Sequence, residues 1–124
     1  MAELATNIGV VPQTILASTS AINRGLRTTL ASDGTVSVAA ISVRGDYITV
    51  NDVAASGYGT GHACGTGAKI SALASEAVAI GDLAYSAASG KFSKTSTNAV
   101  LMGRWVQAAS GDGVLGVVQL TTLA

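Results

Sequence analysis

The sequence predicts a mainly β protein, a small β-barrel or β-sandwich of hairpins with an extended N-terminal arm. Three observations lead there. Ala, Val, Ser, Thr and Gly dominate the side chains, a composition suited to pleated sheets joined by tight turns. Turn dipeptides recur at short intervals, and the apolar runs between them are short, as in a small sandwich or barrel. With 124 residues the chain suits a single domain, divided into an arm over 1–30 and a β domain over 31–124.

Charge narrows the partners. Seven Lys and Arg balance seven Asp and Glu, and charged residues are 11% of the chain against an average near ~25%. Without excess positive charge there is no footprint for nucleic acid or an anionic membrane. A neutral, apolar chain repels its own copies weakly, so protein partners, itself included, are expected. The single cysteine, Cys64, forms no intramolecular disulfide. Glu3 stands where a secretory signal carries Lys or Arg, so no export signal is read. The uncharged run from there to Arg24 is broken by Thr, Asn, Gln, Ser and Pro12, which argues against a membrane span.

Residues 1–30 are the least regular part, with Pro12, the "STS" cluster at 18–20 and a possible helical turn around "AINRGL". They read as an arm or a peripheral strand. Asp33-Gly34 is a turn dipeptide. In "TVSVAAISV", Val36 and Val38 share one parity and Ile41 and Val43 the other, which suggests a bulge or bend in one strand at Ala39 and Ala40. "DYITV" at 46–50 is a strand, and "SGYGTGHACGTG" at 56–67 reads as a flexible loop. "AKISALASEAVAI" fits a helix face through Ile70, Leu73, Ala74, Ala77 and Val78, yet its short flanks and Gly81-Asp82 favour a strand in its second half. "LAYSAASGKF" is a hairpin turning near Ser89-Gly90, and "NAVLMGRWVQ" and "GVLGVVQL" are two more strands around Gly111-Asp112-Gly113. The consecutive apolar residues of "VLMG" predict a strand covered on both faces, by core and by the arm or a neighbouring subunit.

Candidate chemistry is sparse. Gly57-Tyr58-Gly59 and Gly59-Thr60-Gly61 miss the dinucleotide fingerprint, since His62 and Cys64 fall on its third glycine. "GTGAKIS" puts Ala68 where a P-loop needs consecutive Gly and Lys. His62 and Cys64 are spaced for one face of an extended segment, but no further His or Cys completes a zinc site and no carboxylate nearby in sequence orients a dyad. Asp33, Asp46, Asp82 and Asp112 sit in turns, where Asp bonds local amides. Arg44-Gly45-Asp46 matches the integrin tripeptide, and a strand end before a Gly turn explains it as well. No catalytic, metal or cofactor residues are assigned and no enzymatic activity is expected. Arg24 and Arg27, three apart, are candidate partner contacts, sharing one face of a helical turn and meeting acidic groups on a partner, with a solvated arm as the commoner explanation. Met102 and Trp105 are candidates for a subunit interface, with core packing as the default.

The segments "EAVAIGDLAYSAASGKFSKT" at 76–95 and "NAVLMGRWVQAASGDGVLGVVQL" at 98–120 carry a resemblance. Gly81, Asp82, Tyr85, Gly90, Lys91, Thr95, Gly103, Gly113, Val118 and Leu120 resemble the pattern of small capsid decoration (cement) proteins of tailed bacteriophages. Arg104 and Trp105 depart from the small apolar residues usual there. The resemblance implies a non-enzymatic virion structural protein, made in the host cytoplasm. It would bind the major capsid protein on the outer capsid surface, with Arg24 and Arg27 as the expected capsid contacts, as a homotrimer, and stabilise that lattice. The alternatives are another virion β module, a head-fibre base or tail-associated protein, and a small-ligand-binding β-barrel using residues 57–67.

Overall fold

The computed structural model describes residues 13–121, and within them the chain is nearly all β. Ten strands follow one another: β1 Gln13–Ser18, β2 Arg27–Leu30, β3 Val36–Val38, β4 Tyr47–Thr49, β5 Gly57–Ala63, β6 Lys69–Leu73, β7 Leu83–Ser86, β8 Phe92–Ser93, β9 Leu101–Gln107 and β10 Leu115–Leu120. They form two antiparallel sheets, ordered β1-β5-β4-β2-β3 and β6-β10-β9-β7-β8. No described helix is long and apolar enough to cross a membrane.

The first sheet curls almost into a barrel, because a parallel bridge from Ala17 to Thr35 brings β3 back beside β1. Leu16, Ile22, Leu26, Val36 and Val53 fill its interior. Alternation along each strand turns other residues outward, and part of that outer face packs on the second sheet. There Ile48 joins Ile70, Ala72, Ala84, Phe92, Trp105 and Val118 in the main core. The molecule is therefore two layers sharing one sheet's outer face.

The glycine-rich segment is where sequence and structure differ most. Read as a loop, Gly57–Ala63 is instead β5, held between β1 and β4. A Cβ on Gly61 would lie 2.7 Å from Leu16 Cδ1 and 2.9 Å from the Ile48 carbonyl, and one on Gly59 would run into Val53. Glycine here makes room for the barrel's apolar contents rather than for a flexible turn.

Four other expectations shift. Residues 13–30 supply β1 and β2, integral to the barrel, while residues 1–12 of the expected arm lie outside the described residues. "AINRGL" is a non-helical turn leading into β2. The phase change after Val38 is the end of β3 rather than a bulge, and Ile41 and Val43 are exposed on the connection that follows. In "AKISALASEAVAI" the strand occupies the first half, as β6. The hairpins stand as expected: β7 pairs with β8 and β9 with β10, around turns at 88–90 and 111–113. Their inward side chains include the small Ala84 and Ser86, with Leu83 and Tyr85 pointing out.

Candidate functional site

Arg27 opens β2 on the barrel's outward parity, which points it at the second sheet. It is fully buried. Its Nε donates to the Lys91 carbonyl at 3.1 Å, Nη1 to those of Ala40 at 3.3 Å, Val43 and Arg44, and Nη2 to that of Ala87. No described carboxylate forms an ion pair with it. Burial lowers its pKa to about 10, with Cys64 pulling weakly the other way, so it stays charged at neutral pH. The fork of five N–H groups thus stitches the 39–44 connection to the 87–91 turn, carbonyl dipoles standing in for a counter-ion. Gly90, at φ +75° with its N–H donated to the Ala39 carbonyl, packs on the same backbone: a Cβ there would meet the Arg27 carbonyl at 2.7 Å.

This corrects the expectation for Arg27, whose side chain is spent inside the fold and offers nothing to a capsid. Arg24 is different. It is exposed on the turn before β2, its N–H donates to Asp52 Oδ1 at 2.8 Å, and its Nη2 donates to Ser71 Oγ at 3.0 Å on β6. The helical turn expected to align the two arginines does not form, and the strand start at Arg27 sends them to different places.

Met102 and Trp105 follow the default of core packing and not the subunit-interface assignment. Both are buried in the chain's own core, so neither side chain is offered to a second subunit. Trp105 Nε1 donates to the Ser93 carbonyl at 3.1 Å, and its ring meets Phe92 edge-on with centroids 6.4 Å apart. On the same strand, Leu101, Arg104 and Gln107 are the residues left exposed. The expectation of a second cover over "VLMG" meets a Leu101 that is 44% exposed in the single chain.

His62 and Cys64 lie at the end of β5 and just beyond it. Burial pushes the Cys64 thiol up to about 11 against the opposing pull of Arg44 and Arg27, the reverse of what activates a nucleophile. Among the described residues no three His, Cys, Asp or Glu come together as a metal cluster. Arg44-Gly45-Asp46 is not presented as a free tip. Asp46 Oδ2 accepts the Leu30 N–H, and Arg44 Nε is buried. The other turn carboxylates are similarly engaged: Asp33 by Thr35, Glu76 by Lys94 and Thr95, Asp82 by the Ala79 N–H and Asp112 by Lys91.

The residue that sequence reasoning missed is Arg27 as an internal clamp. A lone Arg beginning "RTTL" carries no local mark of burial, since its acceptors come from residues 13 to 64 positions away.

No protein-family model matches the chain, and no curated protein does. In structure it is similar to the crystal structure of the head fiber gp8.5 N base in bacteriophage phi29. The TM-score is 0.67 at 20% identity, covering 91% of this chain and 98% of that one. At that identity the likeness is one of fold, extending over nearly the whole of both chains.

Proposed function

We propose that this protein is a non-enzymatic structural component of a phage virion, a β module of the head-fibre-base kind seated on the outside of the head. The observation that carries the reading is the end-to-end likeness to the phi29 head fiber base. It favours a fibre base over the decoration role implied by the C-terminal motifs. Both readings put the module on the outer capsid surface, in contact with the major capsid protein. Charge composition supports a protein partner, and the raised thiol pKa and turn-bound carboxylates give no support to a hydrolytic or ligand-activating site. Attachment works by mass action, with weak contacts repeated over a shell adding to a stable coat.

Gold-labelled antibodies applied to purified virions test it. Label on heads, retained after heads are separated from tails, is the expected result. Label confined to tails, or protein found only in the soluble lysate, would overturn it.

A further inference from the structure

The second sheet has one face in the core and one outside. In register across four strands stand Lys69 on β6, Gln119 on β10, Arg104 on β9 and Leu83 on β7, paired as Lys69 with Gln119, Gln119 with Arg104 and Arg104 with Leu83. All four are exposed, while the residues one step along, Ile70, Val118, Trp105 and Ala84, are buried. The two cations stand two strands apart, about 10 Å. Arg24 reaches the same face through its bond to Ser71 Oγ, two residues from Lys69 on β6.

Around this row the face is apolar. Leu101, Leu83 and Leu115 are 44%, 41% and 37% exposed. A groove of about 440 Å³ runs between Leu83, Leu101, Arg104, Gln119 and Thr121. None of the described carboxylates stands on a strand. Asp52 and Asp82, at the face's rims, each accept a backbone N–H. Lys69, Arg104 and Arg24 have no ion-pair partner among the described residues.

We propose that this face docks an acidic segment of a protein partner on the phage head, its carboxylates meeting Arg24, Lys69 and Arg104 and its apolar side chains covering Leu83 and Leu101. Charge complementarity selects the occupant. A face whose strands carry cations and no carboxylate is matched by a partner that supplies the negative charge, and the leucines select a protein over a bare polyanion. The inference rests on the virion reading above and adds which side of the module faces the shell.

The test is co-sedimentation of the full chain with phage heads that lack it. The wild type is compared with Lys69→Glu/Arg104→Glu, with the milder Lys69→Gln/Arg104→Gln, and with Ile15→Ser/Tyr58→Ser on the barrel's outer face as control. All these positions are exposed, and melting curves matching the wild type verify the fold. The expected result is binding at least tenfold weaker for the Glu pair, an intermediate loss for the Gln pair, and wild-type binding that falls with added salt. Wild-type binding unaltered in both pairs overturns the inference and leaves the virion reading standing. Failure of the wild type to bind heads removes both. Binding to a DNA oligonucleotide as tight as to heads, and lost in the Glu pair, would make the face a nucleic-acid surface and overturn the proposal.

Discussion

The Arg27 guanidinium carbon lies 5.9 Å from the centre of the Phe92 ring, so β2 of the barrel and β8 of the second sheet meet as cation and π-face in the middle of the molecule. With Trp105 edge-on to the same ring, Phe92 is held between a charge and an indole. Two layers with separate interiors are joined there.

Stability should therefore be unusually sensitive at Arg27. Arg27→Ala strands several buried carbonyls and opens a cavity, at a cost of about 3 kcal/mol or more. Arg27→Lys, with one ammonium in place of a fork, should recover part of that. Urea unfolding measures both. A midpoint shift worth less than about 0.5 kcal/mol for Arg27→Ala would contradict the clamp.

Alkaline pH separates two buried groups. Cys64 has a folded pKa raised from 9.0 to about 11, so the unfolded chain loses its proton first, and stability present below pH 9 is lost as pH rises through 11. Arg27 runs the other way, its folded pKa lowered by burial from the usual guanidinium range to about 10, so stability rises above pH 10. Melting temperature followed from pH 8 upward should fall first between pH 9 and 10, and Cys64→Ala should remove that fall. A fall of equal size in the variant would contradict the assignment.

The barrel's packing predicts a contrast between glycines. Gly61→Ala pushes on Leu16 and the Ile48 carbonyl and should cost about 1–3 kcal/mol. Gly111→Ala, with nothing within 4 Å of its Cβ, should be near neutral. Thermal melts of the two variants decide it, and equal effects would mean that β5 is not packed as described.

Trp105→Ala should act on folding rather than on assembly, costing about 3–5 kcal/mol. Because the ring belongs to the chain's own core, the loss should be the same at low and high protein concentration. A loss that shrinks as concentration rises would return Trp105 to a subunit interface.

The legible parts of this fold were those written in local chemistry. The hairpins at 83–93 and 101–120 announce themselves by turn residues between apolar runs, and the structure places both. β5 was illegible because Gly61 is fixed by Leu16, a partner distant in sequence, and local rules assign such a run to a loop. Arg27 failed for the same reason. Its short spacing from Arg24 suggested a helical turn, whereas long-range carbonyls decide its place. Arg24 is exposed, while the row of Lys69 and Arg104 is not legible locally because only cross-strand register aligns them.

The most direct measurement of the central claim is a cryo-electron microscopy difference map between wild-type virions and virions made without this protein. Extra density on the outside of the head, with the two-layer shape of barrel and sheet, is the expected result. Identical heads, with the difference on the tail or nowhere in the particle, would contradict it.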